Sequence, residues 1–281
     1  MIDGTQNNVG ATLSEFLEQH KEELQADFCC CSVGSGVADK PTLEVGQRGR
    51  MNFDLVLTTE GERGTSGLNT PLEMSKLLTK LYNLNKIAIP YFYCNVEMTK
   101  PEAEIKRYGT NLEYRTITKS VKPNHTILEP TLEITGVISL PRFEKSLLAP
   151  RKTLANLQMY LVPNQHFQEV INGLQQWLKM VIPPQLKTEL VIHEVVNPCK
   201  FNIQSVFVQK AMVLLAQAFK FPIEQQQKET CLKTLALLQT LLCPNIVALP
   251  FATQSSNIGG ANENLQIDHV KKCLEFCFAF F

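Results

Sequence analysis

The sequence lacks any run of about 18 consecutive apolar residues, so no membrane-spanning helix is expected. Its closest approach, Ala211 to Phe219, is bracketed by Lys210 and Lys220 and broken by Gln217. An excess of either charge is also missing, since 27 Lys and Arg balance 27 Asp and Glu. Nucleic-acid binders carry a basic surplus that neutralises phosphates, so no nucleic-acid partner is expected. The first twelve residues have neither the basic nor the apolar segment of a secretory signal, which sets the expectation of a cytoplasmic or nuclear protein. No internal repeat and no low-complexity tract is present.

Signatures of catalysis are missing too. There is no Gly-x-Ser-x-Gly elbow for a serine nucleophile. Gly61 to Gly67 lies between a strand pattern and a helix pattern, but it matches neither glycine-rich phosphate-binding motif. Val33-Gly34-Ser35-Gly36 follows cysteines rather than a strand. His193 stands mid-strand beside Glu194, and strict alternation sends their side chains to opposite faces. His269, Cys273 and Cys277 approach ligand spacing, but no clear fourth ligand accompanies them and apolar residues surround them. No metal and no cofactor is therefore expected.

What the chain does have is ordinary globular composition: 44% apolar and 19% charged residues over 281 positions, enough to bury a sizeable core. Nine cysteines, an odd number without a secretory signal, are expected to be reduced thiols. The Asn124-His125-Thr126 sequon is then incidental.

Residues 12–28 read as an amphipathic helix opened by a Thr12/Glu15 capping box. Residues 32–49, with four glycines and Pro41, read as a loop. Arg50 to Thr58 alternates as a half-buried strand. Thr70-Pro71-Leu72-Glu73 starts a helix reaching about Asn83. Strands are expected at Ile87–Val96, Leu112–Val121 and Thr131–Leu140, with Gly136 marking a bulge in the last. Helices are expected at Pro150–Leu161, from Asn164 to Pro183, at Asn202–Phe219, at Ile223–Leu242, and from Asn264 to the end, with a strand at Glu189–Val196. The fold class is α+β, a strand-rich N-terminal half with a mostly helical C-terminal half. The expected divisions are 1–49 (helix and loop), 50–145 (strand-rich) and 146–281 (mostly helical), the last two optionally one continuous domain.

Two features suggest attachment. Cys29, Cys30 and Cys31 follow the first helix, where consecutive cysteines can accept palmitate. That helix is acidic, which anionic membranes repel. At the other end, Phe276, Phe278, Phe280 and Phe281 leave no polar face on the final helix. They must be buried in this chain, buried in a partner, or exposed by loss of a longer continuation. The leading expectation is a non-enzymatic interaction subunit or adaptor of an intracellular assembly, with protein partners. The alternatives are a peripheral membrane protein lipidated at Cys29–Cys31, or an enzyme whose site is assembled from scattered residues.

Overall fold

The computed structural model describes residues 11–32, 41–59, 68–83, 86–96, 129–140, 150–228 and 231–281. The strand expected over 112–121, the turn after it, the loop at 61–67 and the glycines of 33–40 lie outside these residues. The class is α+β: eleven strands and six helices among the described residues, four of the helices after residue 150. The chain forms two compact units, one from described residues up to Gln47 together with Cys199–Phe281, the other from described residues within 48–198.

The second unit is a four-stranded antiparallel sheet with helices on one face. Strand β3 (Gly49–Thr59) is paired on one side by β7 (Lys152–Leu161) and on the other by β8 (Leu186–Val196), and β6 (Thr131–Leu140) adds to β7. Alternation decides which face each residue takes. Met51, Phe53, Leu55 and Leu57 of β3, with Ala155, Leu157, Met159 and Leu161 of β7, turn toward helices α2 (Thr70–Leu81) and α3 (Phe167–Val181). There they meet Met74, Leu77 and Leu81 of α2, and Val170, Leu174, Trp177 and Leu178 of α3, in one apolar core. Helix α2 begins as expected, although the cap is Asn69, whose side chain accepts from the Leu72 N–H. Thr70 instead donates to the Pro150 carbonyl at 2.8 Å. A two-residue ladder, β4 (Tyr82–Asn83) with β5 (Lys86–Ile87), follows α2.

Beyond β5 the chain turns rather than extending to Val96 as a strand, with Tyr91 and Asn95 at positive φ. Gln165 fastens this turn: its side-chain amide donates to the Phe92 and Cys94 carbonyls, and its side-chain oxygen accepts from the Val162 N–H. Gly173 lets α3 approach the same segment, because a Cβ there would lie 2.3 Å from the Pro90 carbonyl oxygen.

The first unit holds a mixed sheet in the order β1 (Cys29–Cys31), β11 (Ile246–Ala248), β2 (Thr42–Gln47), β10 (Glu224–Lys228), with β9 (Cys199–Lys200) also on β2. Its helices are α1 (Ala11–Gln19), α4 (Val206–Phe219), α5 (Lys233–Leu241) and α6 (Ile267–Phe280). Leu43, Val247 and Leu249 pack against Ala211, Leu215 and Phe219 of α4 and Cys273, Phe276 and Phe280 of α6. The buried Gln47 side chain holds both backbone groups of Leu232, accepting from its N–H at 2.8 Å and donating to its carbonyl at 2.7 Å.

Several expected elements are corrected. Residues 150–161 form a strand, not a helix; Thr153, Ala155, Leu157, Met159 and Leu161 are all buried on one face. Residues 223–242 divide into strand β10 and helix α5, because Glu224–Lys228 is recruited as a parallel neighbour of β2. Helix α1 stops at Gln19, well short of Phe28. Among the described residues no helix is long and apolar enough to cross a membrane.

Candidate functional site

The residues singled out in the sequence separate by position. In α6, Phe276 and Phe280 are buried and stack at 5.1 Å, whereas Phe278 and Phe281 are 89% and 81% exposed. Phe281 nevertheless stacks on Phe28, whose ring also meets Phe280 edge-on. The α6 terminus is closed by Lys210, which donates to the Phe280 carbonyl at 3.1 Å. Cys29, Cys30 and Cys31 form β1 and are half-buried, with the Cys29 N–H given to the Asn245 carbonyl and the Cys31 carbonyl accepting from the Leu249 N–H. His269 is buried edge-on against Phe219, and Cys273 is fully buried.

The polar chemistry gathers elsewhere, on the open face of the second unit's sheet. A shallow concavity of about 290 Å³ is lined there by Asn52, Asp54, Thr135, Asn156, Gln158 and His193. These side chains alternate with the core-facing ones of β3 and β7, which is why a polar face results from strands half apolar in sequence.

Two β-bulges shape the concavity. On β8, Asn52 pairs with Glu194 but Phe53 pairs with Ile192, so His193 is the extra residue. On β6, Leu157 pairs with Ile134 but Asn156 pairs with Gly136, so Thr135 is extra. Bulges re-aim side chains. Both extra residues line the concavity, Thr135 donating to the Asn156 carbonyl at 3.2 Å. The expectation that His193 and Glu194 face apart is thus overturned, because the bulge brings both to the open face.

A hydrogen-bonded network spans the face. The Asp54 carboxylate accepts from Asn156 Nδ2 at 2.6 Å and meets His193 Nε2 at 2.7 Å. Gln158 donates to Asn52 Oδ1 at 2.9 Å, and Asn52 donates to Glu194 at 3.3 Å. Arg50 pairs with Glu194 at 2.8 Å. Asp54 is nearly buried while His193 is half-exposed. A neutral imidazole in this pose donates Nε2–H to the carboxylate and keeps Nδ1 as an acceptor. Amides, a carboxylate pair, a guanidinium and an oriented imidazole together match the donors and acceptors of a peptide or other polar amide. Sequence reasoning missed this site because its side-chain pairs to Asp54, Asn52 and Arg50 are separated by 102 to 144 positions. The legible signals were Gly136, as a bulge mark, and the alternation that sets Asn52 and Asp54 opposite Met51, Phe53, Leu55 and Leu57.

A metal centre does not assemble from these parts. Among the described residues no three His, Cys, Asp or Glu side chains converge as a metal would require.

A scan against protein-family models finds no match, and a search of curated proteins finds none. Solved structures do match. The fold is similar to an M20 family metallo-carboxypeptidase from Sulfolobus solfataricus, with a TM-score of 0.76 and 19% identity over 95% of this chain and 66% of that one. Human carnosine dipeptidase 1 gives 0.71 and 16% over 99% of this chain and 64% of its own. The di-peptidase Dug1p of Saccharomyces cerevisiae gives 0.69 and 15% over 99% and 64%. The chain therefore spans just under two thirds of these proteins' length. At such identities the likeness is one of fold. It runs against the expectation of a non-enzymatic adaptor or complex subunit, since the fold is one that these peptidases carry.

Proposed function

We propose that this chain acts in the hydrolysis of short peptides, and that the open sheet face of the second unit receives the peptide. The observation that carries the reading is the fold, which follows an M20 family metallo-carboxypeptidase over 95% of the chain. The site supports it chemically. Asn52, Asn156 and Gln158 offer amide donors and acceptors to a peptide backbone, and Arg50 offers a cation near a carboxylate. Asp54 holds the His193 ring in one orientation, so that Nδ1 can accept a proton or hydrogen bond from a bound ligand. The described residues do not assemble a metal site. A cytoplasmic setting, in which nine cysteines outside any disulfide stay reduced, accords with this reading.

The test is amino-acid release from a panel of dipeptides by the purified full chain, with and without added zinc or manganese, alongside calorimetric binding of the same dipeptides. Asp54→Asn and His193→Ala should each lower kcat/KM about tenfold to a hundredfold. One lost hydrogen bond to a charged group is worth about 1.5–3 kcal/mol, and about 1.4 kcal/mol is tenfold in rate. The absence of both release and binding by the folded wild-type chain would refute the proposal. Turnover unaffected by both substitutions would keep a peptidase but remove this face from it.

A further inference from the structure

In β1 of the first unit, Cys29 and Cys31 lie two residues apart on a strand, and their Sγ atoms are 3.5 Å apart. The ladder explains why they meet. Cys29 pairs with Ile246, Cys30 with Val247 and Cys31 with Ala248. Val247 belongs to the core under α4 and α6, and Cys30 packs against that same core. Alternation then sends Cys29 and Cys31 together to the opposite face of the sheet. Ala248 also pairs with Glu44, so the buried Glu44 carboxylate lies on that face, in line with Cys31. Cys243, which Asp27 also adjoins, lies close to Cys29.

We propose that Cys29 and Cys31 form a reversible redox dithiol, exchanging with small-molecule disulfides to close an internal Cys29–Cys31 bond. The electrostatics assign the roles. With the proton on Cys31, that thiol donates to the Cys29 sulfur and brings the Cys29 thiol down from 9.0 to about 7 despite its partial burial. Cys31 moves the other way, because it gives its proton to that bond, is itself half-buried, and lies near the Cys29 thiolate and the Glu44 carboxylate. Cys29 is thus the attacking thiolate. It displaces one thiolate from a disulfide such as oxidised glutathione and forms a mixed disulfide. Cys31 then gives up its proton and attacks the Cys29 sulfur, expelling the second thiol. Two protein thiols are oxidised and one small-molecule disulfide is reduced to two thiols.

Strand geometry also makes the bond easy to reopen. Residues i and i+2 of a strand hold their Cβ atoms roughly 6.4–6.8 Å apart, whereas a disulfide needs about 3.5–4.5 Å, so closure must pucker β1 at Cys30. A bond closed with that distortion is strained and readily reduced.

The experiment equilibrates the full chain in buffers of reduced and oxidised glutathione, quenches with acid, alkylates the remaining thiols and maps them by peptide mass. Under oxidising ratios the peptide holding 29–31 should lose two hydrogens, with Cys30 alone alkylated in it, and should return to three free thiols as reduced glutathione is raised. Cys31→Ser should stall with glutathione on Cys29, Cys29→Ser should form no internal bond, and Cys30→Ser should behave as the wild type. Circular dichroism on the same samples establishes that the chain stays folded. Three results would each overturn the proposal: a bond that includes Cys30, no glutathione adduct in Cys31→Ser, or oxidation only after unfolding.

Discussion

Helix α6 presents two phenylalanines two positions apart with opposite fates, and truncating each to alanine is a direct test of where the chain end is anchored. Phe276 is fully buried in the core formed with α4 and β11. Removing its ring forfeits about 1.5–3 kcal/mol of transfer free energy. The void left behind adds about 24 cal/mol for each Å³ that the surroundings fail to fill, which brings the total to about 3–5 kcal/mol. The lost stacking on Phe280, 5.1 Å away, is worth about 0.5–1.5 kcal/mol and lies toward the upper part of that range. Phe278 is 89% exposed, so its truncation should stay within about 0.5 kcal/mol of the wild type. Urea denaturation of the full chain, followed by far-UV circular dichroism, measures both. Against a net stability of about 5–15 kcal/mol the first change is large and the second invisible. Equal small shifts for the two variants would show that α6 is not docked in its own unit, and the burial argument would fail.

Three further outcomes are expected. Gln165→Leu leaves the Phe92 and Cys94 carbonyls and the Val162 N–H without their partner, and should cost at least about 2 kcal/mol, read by denaturation of the second unit through Trp177 fluorescence. Gly173→Ala should gain up to about 1 kcal/mol of helix propensity but lose about 1–3 kcal/mol to overlap with Pro90, a net loss in the same assay. Because only the thiolate alkylates, and the Cys29 thiol is lowered to about 7, its iodoacetamide rate should level off above about pH 8, while an ordinary thiol continues to climb; Cys31→Ala should move the midpoint back up toward 9.0.

Legibility in the sequence followed locality. Arg50–Thr58 and Thr131–Leu140 were readable because strict alternation and a bulge glycine are short-range signals. The start of α2 was readable within one residue because proline and an early glutamate act on the first turn alone. Lys152–Leu161 was not, since Leu154 puts an apolar residue on the open face and Leu, Ala, Gln and Met favour helix; tertiary pairing with β3 decided it. Glu224–Lys228 has little intrinsic strand preference and becomes a strand only by lying beside β2. The polar face was illegible for a related reason. Nothing local announces that His193 is an extra residue in its ladder, and Asp54 meets Asn156 and His193 only once three strands have aligned.

Gln47 and Cys199 are neighbours in the β2–β9 ladder, and residues 48–198 leave and return between them. The ends of that excursion are themselves adjacent, since a Cβ on Gly49 would lie 2.5 Å from the Pro198 ring. The described strands of the second unit are thus entered and left through a hairpin of the first. Such an insertion can lengthen or drift in sequence while β2 and β9 keep their register.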